Sequence, residues 1–279
     1  MTTSTITKKE YQLREMNSSK PGSKLTVFGV AKVPLQQSTQ YDSLAAQFVE
    51  NDRASNHMTR KLLYDSFTPA DLRKKNVLDL GCGYGRDGAY MAKRGARVFG
   101  VDESAALLRI AKKECPSGKF MRADFSNLPF YDNFFDATYS RYALQHTADL
   151  EPAFYELSRV MKPGAKFTFI VTHPLRQYFE KPTRDYDSQE ACTSHIFDKK
   201  MTVSEPSHRF TEYFSPMLLN NFTLERVVEK VDVEAERVAG CGRYPGILMV
   251  EYRRNDRQSS CVDMSNELIM LDHVQNKAK

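Results

Sequence analysis

The chain has 279 residues, 41% of them hydrophobic and 27% charged, with 40 Lys and Arg against 35 Asp and Glu for a net charge of +5. That balance suits a globular protein large enough to bury a full core without disulfide or metal staples. It excludes a collagen-like fibre and a disulfide scaffold, and the lack of any run of about 18 apolar residues excludes a membrane-spanning helix.

Residues 1–40 hold six cations and two anions, and so carry +4 of the +5. They are polar, Ser/Thr-rich and aperiodic apart from LTVFGVAKV at 25–33, which predicts a largely disordered basic leader. The opening MTTSTITKKEYQLREM has no apolar h-region, so no secretory signal is expected. A nucleic-acid enzyme spreads its basic stripe over the folded surface, whereas the rest of this chain is nearly neutral, so no nucleic-acid partner is expected. The five cysteines, Cys82, Cys115, Cys192, Cys241 and Cys261, form no CxxC pair. They read as reduced, mostly buried thiols of a cytoplasmic protein, and no metal site is expected.

From Tyr41 the pattern is helical: Leu44, Ala45, Phe48, Met58, Leu62, Leu63 and Phe67 recur at three- and four-residue intervals. Short apolar segments then predict strands at NVLDL (76–80), RVFGVD (97–102), KFMRAD (119–124), FDATYSR (135–141) and KFTFIV (166–171). Helical patterns lie between them at RDGAYMAKR (86–94), SAALLRIAKKE (104–114) and DLEPAFYELSRVM (149–161), with Gly95, Gly118 and Pro163-Gly164 at their ends. Apolar strands joined by helices of about ten residues predict an α/β fold, a mostly parallel sheet with helices on both faces.

After residue 173 this rhythm breaks. Residues 174–206 are charged and contain Pro174, Pro182 and Pro206, too polar for a core, and read as a surface loop or lid. HIFDKKMTVS (195–204) and HRFTEYF (208–214) predict an antiparallel hairpin; Pro216 opens a helix (216–221). FTLERVVEKV (222–231) and YPGILMVEYRR (244–254) read as the last strands, and residues 255–279 as a polar tail with one weakly amphipathic stretch. The organisation expected is a leader (1–40), one domain (41–254) with an insertion at 174–214, and the tail.

The most informative segment is VLDLGCGYGRDG (77–88), where Gly81, Gly83 and Gly85 sit between a strand and a helix. Glycines there permit a tight turn and close backbone approach to a ligand at the helix N-terminus. The spacing is Gly-x-Gly-x-Gly, and Asp79 precedes it within the strand. A carboxylate beside the loop suits a ligand that presents an amino group rather than a pyrophosphate. Asp102 ends the second strand, where an open α/β sheet places the acid for ribose hydroxyls. Asp124 ends the third, followed by Phe125, a pair suited to an exocyclic amine and a purine ring. Each Asp alone reads equally well as a helix cap.

Taken together, these segments resemble the class I S-adenosylmethionine-dependent methyltransferases, in the broad small-molecule group that includes the ubiquinone-biosynthesis type. The resemblance covers roughly residues 41–253, through VLDLGCGYGR, GVDES, RADFSNLPF, FFDATYSRYALQH, LSRVMKPGAKFTFI and HRFTEYFSPMLLNNFTLERVVE. It implies a Rossmann-like seven-stranded sheet in the order 3-2-1-4-5-7-6, with the last strand antiparallel. It implies S-adenosyl-L-methionine as cofactor, S-adenosyl-L-homocysteine as product, and a small-molecule acceptor methylated on O, N or C by a monomer or homodimer. By the same resemblance Gly81, Cys82, Gly83 and Gly85 border the methionine end. Asp79 and Ser140 lie near its amino group, and Arg86 helps with its carboxylate. Asp102 and Glu103 hold the ribose; Asp124 and Phe125 hold the adenine. Asn221-Phe222 stands where many relatives have Gly-Phe, and Asn is expected to take over the left-handed helix end.

Methyl transfer by direct displacement needs alignment and exclusion of water, and a base only when the acceptor must lose a proton. His146, after the fourth strand, is the first candidate base and His173, after the fifth, the second. His208, Tyr41, Arg141 and Tyr142 are candidate acceptor contacts, with at most one of the adjacent Arg141 and Tyr142 facing the pocket. Tyr41, Tyr178, Phe179, Tyr186, Tyr213 and Tyr244 offer a partly aromatic acceptor pocket. Two other readings stay open on sequence alone: methylation of RNA or protein guided by the basic leader, and a non-catalytic binding protein. A nicotinamide dehydrogenase fits poorly because of the glycine spacing and Asp124-Phe125.

Overall fold

The computed structural model describes residues 39–55, 58–197, 199–231 and 243–256. The predicted leader and tail, Cys241, Cys261, His57 and His273 lie outside them almost entirely or wholly. Helices α1 (Gln40–Ala54), α2 (Met58–Asp65) and α3 (Pro69–Leu72) lead into β1 (Asn76–Leu80). Then come α4 (Arg86–Lys93), β2 (Arg97–Asp102), α5 (Ala105–Glu114), β3 (Lys119–Arg122) and β4 (Phe135–Arg141). A 3-10 turn (Leu144–His146), α6 (Leu150–Val160) and β5 (Met161–Thr172) follow. The later part holds α7 (Pro174–Glu180), β6 (Ala191–Ile196), β7 (Met201–Pro206), a 3-10 helix (Phe210–Phe214), α8 (Pro216–Asn221), β8 (Phe222–Val231) and β9 (Pro245–Arg254).

Among the described residues, seven strands form one sheet in the order β3-β2-β1-β4-β5-β9-β8. The first five are parallel and β9 runs antiparallel to both β5 and β8. This is the sheet the resemblance implies, with β6-β7 as a separate hairpin inserted into it. Strand alternation divides the core. Val77, Met91, Leu63 and Tyr139 belong to the cluster on the α2–α5 face, and Leu78, Leu80, Phe154 and Phe167 to the one on the α6 and α8 face. Asp79 shares the Val77 face, so its carboxylate points toward α2 and α4. No helix among the described residues is long and apolar enough to cross a membrane.

Several boundaries differ from expectation. β3 stops at Arg122, so Asp124 lies in the following turn, where its Oδ1 accepts from Ser126 N at 2.7 Å. β5 starts at once after α6, and Pro163-Gly164 falls inside it, not at a turn before it. The hairpin pairs Ala191 with Pro206 and Ile196 with Met201, while Phe210–Phe214 winds into a 3-10 helix. The reason is period: Cys192, Ser194, Val203 and Glu205 alternate inward, whereas Tyr213 is inward in a segment closed by an Arg209–Glu212 box. Asn221 sits within α8, its Nδ2 donating to Met217 O at 2.9 Å, and is not the left-handed residue anticipated.

Candidate active site

The carboxyl ends of β1, β2 and β4 open into a cavity of about 870 Å³, roofed by α1 and the β6-β7 hairpin. That size lies toward the upper end for small-ligand sites, which run to roughly 1,000 Å³. Gly81 and Cys82 both donate their amides to Val101 O, at 2.8 and 2.9 Å, and so lock the glycine loop to β2. Gly81 has φ +79°, and a Cβ there would stand 2.0 Å from Ala143 Cβ, so only glycine lets the β1 and β4 exits close together. Gly85, also left-handed at φ +82°, packs against Ala111 and starts α4; it does not line the cavity.

Asp102 accepts from Gly83 N and Ser104 N, each at 2.8 Å, so the second-strand acid braces the loop. Burial raises its carboxyl above the ordinary range, and the backbone amides oppose that. Asp79 is 3% exposed and its Oδ2 has no hydrogen-bond partner. Burial, and then repulsion from Asp87, push it well above the usual carboxylate value. Glu103, Asp124 and Phe125 line the same end. Ser140 is fully buried within β4 and does not line the cavity; the strand exit there is Arg141, Tyr142 and Ala143.

A buried ionic cluster, missed by the sequence reading, closes the side nearest Asp79. Asp52 of α1, 1% exposed, accepts from Arg60 at 2.7 Å and from the Tyr84 hydroxyl, and Arg86 Nη1 donates to its backbone oxygen at 2.7 Å. Asp87 accepts from Arg60 Nε and Arg141 Nε, each at 2.9 Å, and from the Tyr64 hydroxyl at 2.6 Å. Burial alone would raise Asp87, but Arg141 and Arg60 hold it far below the ordinary value. Arg60 Nη1 is buried and unpartnered. The available signal was charge at apolar positions: Ala45, Val49 and Asp52 form one buried stripe, and Arg60 precedes the buried Leu63 by three.

On the other side the Tyr41 hydroxyl meets His146 Nε2 at 3.0 Å, and Glu205 Oε2 lies 4.0 Å from the same nitrogen. Burial lowers the His146 pKa, with Glu205 opposing, so the ring is neutral near pH 7. Burial, then Glu205, raise the Tyr41 phenol above its usual value. Arg141 and Tyr142 both line the cavity, against the expectation that one would. Tyr142 is left-handed at φ +55°, which turns consecutive side chains to one side, and Arg141 is committed to Asp87.

His173 and His208 do not line it. His173 caps α7, its Nδ1 accepting from Leu175 N at 3.0 Å and its Nε2 bonding Glu229 at 2.8 Å. His208 engages Glu212 at 2.8 Å and donates from Nε2 to Gln145 O at 3.2 Å. With both ring nitrogens occupied, each is a structural residue. Of the six aromatics proposed for the pocket only Tyr41 lines it; the others are Phe48, Tyr84, Phe125, Tyr142 and Phe197.

Residues 78–169 match a family described as a methyltransferase domain. A demethylmenaquinone methyltransferase of Paenarthrobacter aurescens (strain TC1) is 32% identical over 147 residues, 52% of this chain and 58% of that one. A 2-phytyl-1,4-naphtoquinone methyltransferase of Nostoc punctiforme is 42% identical over 106 residues, 35% of this chain and 46% of that one. The chain thus spans about half the length of the curated relatives it matches. The solved structure of an S-adenosylmethionine-dependent methyltransferase of Listeria monocytogenes superimposes with a TM-score of 0.57 at 22% identity, over 76% of this chain and 99% of that one. Residues 78–169 thus match a methyltransferase domain, and the seven-stranded sheet has the fold of solved S-adenosylmethionine-dependent methyltransferases.

Proposed function

We propose that the protein binds S-adenosylmethionine and methylates a small molecule. The observation that carries this reading is a pair of unpartnered buried atoms in the lining of one cavity: Oδ2 of Asp79, and Nη1 of Arg60, whose other guanidinium nitrogens are held by Asp52 and Asp87. A buried polar atom left without a partner is costly. Together they suit the ammonium and carboxylate of an amino-acid ligand, with the glycine loop between β1 and α4 beside it. In this reading Asp102 and Glu103 accept from ribose hydroxyls, and Asp124 with Phe125 holds the adenine. The cavity lining carries seven carboxylates against four guanidiniums, a balance that favours a ligand with net positive charge. The size of the cavity leaves room for an acceptor beside the nucleoside.

When bound, the cofactor supplies a methyl group on a positive sulfur, which an acceptor lone pair displaces while the C–S electron pair stays on sulfur. The chain's own part is positional. α1 and the hairpin exclude water, the glycine loop fixes one reactant, and neutral His146 takes a proton where the acceptor has one to lose. Tyr41 holds the His146 ring by its hydroxyl. The protein is read as cytoplasmic, acting without a metal or a nucleic acid.

Calorimetry tests the reading. S-adenosylhomocysteine is expected to bind, NAD to give no heat, and 5′-methylthioadenosine, which lacks the amino-acid portion, to bind at least about tenfold more weakly. Equal affinity for S-adenosylhomocysteine and 5′-methylthioadenosine removes the role of Asp79 and Arg60, and preference for NAD removes the methyltransferase reading. A screen of cell metabolites with methyl-labelled cofactor then finds the acceptor.

A further inference from the structure

The acceptor side of the cavity contains a carboxylate that methyl transfer as such does not require. Glu205 of β7 is 3% exposed. Its Oε1 accepts from Gln177 Nε2 at 2.9 Å and Ser194 Oγ at 3.3 Å. Its Oε2 lies 4.0 Å from Nε2 of the neutral His146, and no Lys or Arg among the described residues pairs with it. The nearby lining cations are committed elsewhere: Arg141 to Asp87, and Arg176 to Glu180 at 2.8 Å and to His195 O at 3.2 Å. A buried carboxylate lacking a cation costs several kcal/mol unless something donates to it.

Gln145 has an unpartnered oxygen. It is 3% exposed and lines the cavity, and its Nε2 is used on Thr172 Oγ1 at 3.3 Å, which leaves Oε1 buried with no partner. Gln145 adjoins His146 in the Leu144–His146 turn, and Glu205 Oε2 lies 4.0 Å from the imidazole, so both oxygens belong to the His146 side of the cavity. The walls around them are apolar: Phe48, Ile196, Phe197 and Val203.

We propose that the methyl acceptor is a small, largely apolar molecule bearing a hydroxyl or an amine, recognised by hydrogen bonds to Glu205 or Gln145, and that carboxylate and phosphate acceptors are refused. The proposal deepens the methyltransferase reading and rests on it. An anionic acceptor would set a second negative charge against Glu205 in a water-poor site, with no uncommitted cation beside it. A hydroxyl, with its one hydrogen, instead donates to one of these oxygens and an amine can donate to both, and either brings the heteroatom beside His146. In the reaction the acceptor heteroatom forms its bond to the methyl carbon as the C–S bond breaks toward sulfur. The acceptor's proton passes to His146 and from there to solvent.

The test uses the full chain loaded with S-adenosylhomocysteine and titrated with benzyl alcohol, benzylamine, benzoate and benzyl phosphate. The alcohol or the amine is expected to bind at least about tenfold more tightly than either anion, and which of the two binds tells whether the donor is neutral or charged. Glu205→Gln is expected to lower that preference by about tenfold, the worth of one hydrogen bond to a charged group. Tighter or equal binding of benzoate or benzyl phosphate overturns the proposal, as does the failure of all four to bind. An unchanged preference in a Glu205→Gln variant with wild-type melting temperature also overturns it; if that variant does not fold, the wild-type selectivity decides. Failure of S-adenosylhomocysteine to load overturns the methyltransferase reading and this proposal with it, whereas loading followed by the wrong selectivity overturns this proposal alone.

Discussion

The two halves of the cavity are held together by different kinds of bond. The glycine-loop half is buttressed by buried bonds: Gly81 and Cys82 donate to Val101 O, Gly83 donates to the Asp102 carboxylate at the top of the adjacent parallel strand, and Asp52 and Asp87 hold Arg60. The acceptor half is held by side chains that reach from one element to another. Gln40 of α1 pairs both its amide atoms with the backbone of Ser204, at 2.7 and 2.9 Å, and Gln47 donates to Lys200 O at 2.9 Å. These bonds are exposed, and an exposed hydrogen bond is worth about 1 kcal/mol or less. The first half is therefore a rigid receptor, and the second a cover that can part from α1 at low cost without disturbing the sheet. Ligand affinity and acceptor handling should respond to different mutations.

The largest expected effect is on turnover. If His146 takes the acceptor's proton, His146→Ala lowers kcat by roughly 10²–10⁴-fold while S-adenosylhomocysteine affinity barely changes. Near-normal kcat in a stably folded variant removes the base and leaves catalysis to positioning. The pH profile sharpens the point. His146 works as a neutral ring, so activity is full above its pKa and falls as pH drops through it. Burial puts that value below the ordinary 6.5, and Glu205 opposes the shift. The acid limb is expected below pH 6.5, and in Glu205→Gln, with the opposing charge gone, it moves to still lower pH. A limb that moves up in that variant breaks the assignment.

Next in size is the receptor half. Asp102→Ala is expected to weaken S-adenosylhomocysteine binding by about 2–4 kcal/mol, because the ribose loses a charged acceptor and Gly83 loses its anchor. Asp79 and Asp102 both have raised carboxyl values. Cofactor affinity in the wild type should therefore fall with decreasing pH at a higher pH than the usual carboxylate value of about 3.9. Unchanged affinity in a folded Asp102→Ala variant, read by calorimetry, separates the acid from the ligand.

This division also explains what could be read from the sequence. Three successive strand ends place Asp79 with the glycines, Asp102, and Asp124 with Phe125 within 50 residues of one another, and the parallel sheet brings such ends to one edge by rule. The sheet order and most strand bounds follow from the same local patterns. Tyr41 and His146 meet across 105 residues, and Glu205 comes from the insertion, where no local pattern says which face of the hairpin turns inward. The ionic cluster of Asp52, Arg60 and Asp87 is hidden for another reason: apolar periodicity marks the helices, and a charge on the apolar stripe does not announce its partner on another element. His173 and His208 misled because their position at the sheet edge was visible while their partners, Glu229 and Glu212, were not.

The smallest effect tests the comparison most directly, because α1 touches both halves. Asp42 Oδ1 accepts from Ser104 Oγ at 2.7 Å and Ala106 N at 3.0 Å, which ties the helix to the Asp102 side, while Gln40 ties it to the hairpin. Gln40→Ala removes two exposed hydrogen bonds and no charge, so the loss is about 1 kcal/mol, or roughly fivefold. That loss should raise the acceptor KM and leave S-adenosylhomocysteine affinity within about twofold of wild type. Asp42→Ala should do the reverse: the cofactor binds several-fold more weakly, since the Ser104 turn beside Asp102 is freed, with a smaller change in acceptor KM. The measurements are steady-state kinetics with the acceptor found by labelling and calorimetry with the product. If both substitutions move both quantities by the same factor, α1 closes as a single rigid cover and the two halves are not independent.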